Sequence, residues 1–259
     1  MLHRQPLLSG KWYPSGFDLL DREINNCFVH AEGPGELPSH RTNKRLLGVI
    51  SPYGDYQEIG QVCAWAYKEI AESEFPDAYI ILGKGGKEYG FFTSLFSGWQ
   101  TPLGTVNVDK ENGQQLMRSF EKLKNDYDAL EDGGSIEGQL PFLQFANKDK
   151  LQEIKIIPLL INSIDYNACM KLGEAIAELG EKNKVCVIGS CNLYGDVGDA
   201  ATVDALKRID TKKIHDIAQV RTANGDFIVF MEAMKHMFAR KGRLLNYEPG
   251  AAALSFGLL

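Results

Sequence analysis

The sequence predicts an α/β fold: a single three-layer domain over residues 1–259, with a central mostly parallel or mixed sheet and helices on both faces. Three observations predict it. Short runs rich in Val and Ile alternate with longer amphipathic stretches. Several of these runs lack polar alternation, as strands buried on both faces do. No repeat, low-complexity tract or Pro/Ser-rich linker divides the chain.

Taken in order, strands are predicted at 46–51, 78–83, 105–108, 154–161 and 184–190, with 251–259 as a further candidate. A helix at 60–73 places Val62, Ala66, Tyr67 and Ile70 on one face, and one at 114–123 does so with Leu116, Phe120 and Leu123. A helix at 166–179 has Asp165 as N-cap and Gly180 as C-cap. Helices at 204–220 and 227–240 complete the set, the last closed by Gly242. The loosest segment, 33–38 (Gly-Pro-Gly-Glu-Leu-Pro), reads as a surface loop between an early helix and the first of these strands.

Composition narrows the function classes. The chain is 44% hydrophobic and 24% charged, with net charge −6. Its densest basic stretch is only Arg240-Lys241-Gly242-Arg243, so a nucleic-acid face is not supported. The longest apolar run, 154–161, is interrupted by Lys155 and is too short to span a bilayer. The N-terminus lacks the pattern of a signal peptide. Five scattered cysteines without CxxC spacing point to reduced thiols. A soluble, cytoplasmic protein with no nucleic-acid or membrane partner is expected.

Ligands of open α/β sheets sit beyond the carboxyl ends of strands. Here those exits are Ser51-Pro52-Tyr53-Gly54-Asp55-Tyr56, Gly83-Lys84-Gly85-Gly86-Lys87 and Gly189-Ser190-Cys191-Asn192-Leu193-Tyr194-Gly195. The glycine- and lysine-rich run invites an anion, but it lacks Walker A spacing, and a plain turn is favoured. Glu137 reads as a first-turn carboxylate complementing a helix dipole, with Asp132 as a cap for that helix, rather than as a general base. Cys191 has no histidine nearby in sequence to activate it, and a plain thiol is favoured. The five histidines (His3, His30, His40, His215, His236) include no HxH or HExxH pair and none at a strand exit. His236 falls on the polar side of its helix and reads as solvent-exposed.

Several runs resemble the Memo family, which is related in fold to class III extradiol dioxygenases. Ser9-Gly10-Lys11-Trp12-Tyr13-Pro14 is similar to the family's Ala-Gly-x-Trp-Tyr-Pro, and Ser51-Pro52 with Tyr56 and Gly60 to its Pro-His-Ala-Gly-Tyr-x-Tyr-Ser-Gly. Ile81-Leu82-Gly83 resembles the start of Leu-Gly-Pro-x-His. Trp99-Gln100-Thr101-Pro102-Leu103-Gly104, Val106 to Asp109, and Ser135-Ile136-Glu137-Gly138-Gln139-Leu140-Pro141-Phe142-Leu143 follow in the family's order. The family's histidine and cysteine positions are all changed. They fall on Tyr53, Gly86, Gly134, loosely Leu193, and Asn224.

The resemblance therefore implies the dioxygenase-like fold with a vestigial pocket, no metal and no cofactor, since glycine and leucine offer no donor atom. The two glycines are expected to enlarge the cavity and Tyr53 to add bulk. Lys84, Glu137, Cys191, Asn192 and Asn224 are expected around it. A binding or scaffold module is favoured over an enzyme. Its partner would be a protein or phosphopeptide-like ligand accepted through Lys84 and Lys87, a small molecule, or a ligand-bearing homologue with which it associates. The alternative is a dioxygenase-like oxidoreductase whose metal site is rebuilt from Asp55, Glu58, Glu137 or Cys191.

Overall fold

The computed structural model describes residues 3–85, 88–131, 133–195, 199–221 and 225–258. Its centre is four parallel strands in the order β8 (Lys155–Asn162), β3 (Ala78–Lys84), β9 (Val185–Ser190) and β2 (Leu46–Ser51). Beyond β2 the sheet turns antiparallel, through β11 (Ala251–Gly257) to the edge strand β10 (Gly242–Glu248). Beyond β8 lie β6 (Gly104–Val108), β5 (Gly98–Thr101) and β1 (His3–Arg4). The short strand β4 (Gly90–Thr93) runs antiparallel to the second half of β8 and pairs with β7 (Leu123–Asn125). The sheet is therefore mixed, with a parallel heart.

Alternate residues of the central strands feed two apolar layers, because successive side chains of a strand point to opposite faces. Val49, Tyr79, Ile81, Cys186 and Ile188 pack with α1 (Phe17–Val29), α2 (Tyr56–Ala71), α4 (Gly134–Glu137) and α5 (Leu140–Ala146). Ile50, Ile80, Leu82 and Val187 pack with α3 (Lys110–Ser119), α6 (Tyr166–Lys182), α7 (Asp199–Arg208), α8 (Thr211–Arg221) and α9 (Gly225–His236). The three expected layers are present. Among the described residues, no helix is long and apolar enough to cross a membrane.

The five expected strands lie within about a residue of the observed ones, and the further candidate at 251–259 is β11, ending at Gly257. Several helix limits differ: the last helix ends at His236, and Gly242 opens β10. Helix α2 begins a turn before residue 60, because Asp55 caps it by accepting from Gln57 N at 2.9 Å. Helix α3 starts after Asp109, and Phe120 is extended, so Leu123 belongs to β7. Gly180 does not stop α6: the helix continues to Lys182 and Gly180 packs close to Met237 and Val185. The helix expected at 204–220 is two helices, broken at Ile209, whose φ of 54° no α-helix accommodates. Asp165 caps α6 as expected, accepting from Ala168 N at 3.0 Å.

Candidate functional site

Strands β2, β3 and β9 end side by side, and the starts of α4 and α9 close over them. The ends are joined by a buried polar lattice. Gln139 donates to Pro52 O at 2.9 Å and Ser190 Oγ at 2.8 Å, while its carbonyl accepts from Tyr67 Oη at 2.8 Å. Ser190 Oγ donates to Ser135 O at 2.5 Å, and Ser135 Oγ donates to Lys84 O at 2.8 Å. Gly83 makes this approach possible, since a Cβ there would sit 2.4 Å from Ser135 Oγ. The Gln139 of the Gln-Leu-Pro-Phe run is thus a rivet between strand exits.

Asn192 fastens the two loops that form the rim. Its carbonyl accepts from Tyr53 N at 2.8 Å and its amide donates to Tyr53 O at 2.9 Å. Both ends of that side chain are occupied, so Asn192 positions Tyr53. The Tyr53 ring stacks on Trp12, with centroids 6.2 Å apart and 28° between planes. Trp12 in turn covers Gly134. The glycine at 134 does not open a cavity: a Cβ there would already touch Leu8 at 3.4 Å and the Trp12 ring at 3.5 Å. The N-terminal segment fills the space that a histidine would take.

Inside the rim sit Cys191, Asp226 and Lys84. Cys191 is 1% exposed and Asp226 2%. The thiol lies beside the Asp226 carboxyl, and burial drives the thiol well above its ordinary range, with the Asp226 charge adding to the effect. Burial also raises Asp226, against the opposing pull of the Lys84 ammonium, the thiol and the first amides of α9. Tyr53 is pushed up to about 12, mainly by burial and then by the Asp226 charge. Asp226 Oδ1 is buried without any hydrogen-bond partner among the described residues. A cluster of neutral thiol, neutral phenol, one ammonium and one half-satisfied carboxyl results.

The raised Asp226 fixes a sign for stability against pH. A carboxyl whose folded pKa exceeds its unfolded value binds its proton more tightly when folded. Its contribution is full below the unfolded pKa and is lost as pH rises through the folded one. Asp226→Asn is therefore expected to gain about 1 kcal/mol, or about 2–4 °C in Tm, at pH 8 and to lose that advantage by pH 4. Thermal melts of both proteins across this range check it.

Glu137 does not belong to this cluster. It is wholly buried and faces the N-terminal segment, with Oε2 accepting from Arg4 Nη1 at 2.5 Å and Leu7 N at 3.1 Å. Its Oε1 accepts from Leu8 N at 2.7 Å and Tyr13 Oη at 2.6 Å. The carboxylate pins that segment, a larger role than the dipole partner expected from its place in a short helix. The structure thus brings together Tyr53, Lys84, Cys191 and Asn192, leaves Glu137 on the N-terminal side, and shows Gly134 covered. Gly86, Lys87, Asp132 and Asn224 lie outside the described residues. Sequence reasoning passed over Asp226. Its signal was an acidic residue opening the apolar run Phe227-Ile228-Val229-Phe230-Met231, where a carboxylate lands at a buried helix start.

Comparison with known proteins agrees on kinship. A family model described as Memo-like protein matches residues 4–253. A MEMO1 family protein from Methanobrevibacter smithii is 33% identical over 221 residues, covering 83% of this chain and 76% of its own length. One from Methanococcus maripaludis is 31% identical, covering 95% of this chain and 93% of its own. One from Methanopyrus kandleri is 29% identical, covering 95% and 92%. A crystal structure of an uncharacterized protein from Escherichia coli K12 is similar at a TM-score of 0.49 and 10% identity, covering 82% of this chain and all of that one.

Proposed function

We propose, from the premise that this chain belongs to the Memo family, that it is a binding module whose strand-end site works without a metal and receives a small polar group from a small molecule or a protein partner. The observation that carries this is the bare Asp226 Oδ1. A buried acceptor left without a donor costs on the order of 1–3 kcal/mol, and such atoms cluster where a ligand or water completes the set. A group offering both a donor to Asp226 and an acceptor to Lys84, such as a carboxamide, suits it. Buried reduced cysteines accord with a reducing compartment.

The donor chemistry does not fit a redox or Lewis-acid ion at these strand ends. Cys191 holds its proton, Lys84 puts a positive charge beside the carboxyl, and no described histidine is found with them. Of the acids that a rebuilt metal site would recruit, Asp55 caps α2, Glu137 anchors the N-terminal segment, and Glu58 is exposed in the first turn of α2. A phosphate-like anion meets one ammonium already balanced by Asp226 whenever that carboxyl is ionised.

These features order the expected ligands. In NMR titrations of the full chain, tyrosinamide is expected to shift the amides of Tyr53, Cys191 and Phe227, and phosphotyrosine to do so more weakly. Asp226→Asn removes the negative charge and is expected to tighten phosphotyrosine several-fold while weakening tyrosinamide. The binding reading is lost if neither probe moves those resonances. A stronger response to phosphotyrosine in the parent protein would instead favour the anionic, phosphopeptide-like partner.

A further inference from the structure

A second cluster of titratable groups lies far along α9 from Asp226, at the helix's other end. There Glu232 and His236, one turn apart on α9, meet Glu174 of α6. The Glu232 carboxylate is 1% exposed, and Thr211 of α8 orients it by donating to Oε2 at 3.1 Å. Its Oε1 points outward, 3.0 Å from His236 Nε2, which is itself 3.9 Å from Glu174 Oε1. Gly173, next to Glu174, is what lets the helices cross so closely: a Cβ there would fall 2.7 Å from Glu232 Cβ and 2.8 Å from Val229 O.

We propose that Glu174, Glu232 and His236 form a divalent-cation site of the zinc type, joining α6 to the C-terminal end of α9. The donor atoms lie within 4.8 Å of one another. Donors on a tetrahedral zinc at about 2.1 Å are about 3.4 Å apart, between the two His236 distances, so the half-exposed Glu174 arm has to swing in and the Glu232–His236 pair to open slightly. An imidazole with two carboxylates suits Zn²⁺ better than Mg²⁺ or Ca²⁺, which favour all-oxygen sets. The partial negative charge at the end of a helix adds to the attraction for a cation. Thr211 is the outer partner that fixes a ligating carboxylate. Lys235 Nζ, 3.1 Å from Glu232 Oε1, stands where the cation would compete. Its side chain is 55% exposed and can leave for solvent.

Isothermal titration of tag-free, EDTA-treated full chain with Zn²⁺ tests this. One equivalent is expected to bind, to raise Tm, and, with Co²⁺ instead, to give the visible bands of a four-coordinate ion. His236→Gln and Glu174→Gln, both at half-exposed positions, are each expected to weaken binding by at least about tenfold, and Thr211→Val by about tenfold. Lys235→Ala is expected to tighten it. The proposal is overturned by the absence of saturable one-to-one binding, or by binding undiminished in the Glu174→Gln/His236→Gln double variant with its circular dichroism unchanged.

Discussion

Glu137→Gln is expected to cost about 3–5 kcal/mol of unfolding free energy, the usual penalty for leaving a buried charge without its counter-ion. Arg4 is 6% exposed and lies over the Trp99 ring at 4.2 Å, so its guanidinium has no route to water once the carboxylate is gone. The neutral amide also presents a donor to Leu7 N, Leu8 N or Tyr13 Oη, each of which is itself a donor to Glu137. Urea denaturation followed by tryptophan fluorescence measures the loss, with Trp12 reporting on the released segment. Adding Arg4→Leu to Glu137→Gln is expected to recover part of the loss, because the guanidinium is then no longer stranded. Equal losses in the two proteins would mean that the pair's charge is not what holds the segment.

Gln139→Leu is expected to cost about 3 kcal/mol, since it strips partners from Tyr67 Oη, Pro52 O and Ser190 Oγ together. The three groups belong to α2, to the exit of β2 and to the end of β9, all inside the core. Leucine matches the volume closely, so the loss is one of hydrogen bonding rather than of packing. Amide exchange at Cys191 and Tyr53 is expected to quicken along with the fall in stability, because both rim loops hang from those strand ends. Gln139→Glu offers a control: it keeps an acceptor for Tyr67 and loses the two donations.

How much of this was legible beforehand divides along physical lines. The parallel strands β2, β3, β8 and β9 announced themselves because burial on both faces demands unbroken apolar runs. The short strands β1, β4, β5 and β7 did not, since two to four residues carry no periodicity. Tyr53, Lys84, Cys191 and Asn192 were legible as strand-exit residues, for the topology alone directs attention there. Asp226 was not, because a carboxyl at a helix start ordinarily reads as a dipole partner. Only the fold shows that this start is buried against Cys191. The covering of Gly134 by Trp12 was likewise hidden, being a contact between residues over a hundred apart.

Strand β2 is hydrogen-bonded on one side to β9 and on the other to β11. Its partners are made roughly 140 and 200 residues after it, so during synthesis a largely apolar strand waits with both backbone edges unpaired. A ribosome stalled before residue 251, or a truncation there, leaves the edge facing β11 open to any other strand. Chains interrupted at that point are thus prone to aggregate and are natural clients for chaperones, even though every residue of the parallel heart has already been made.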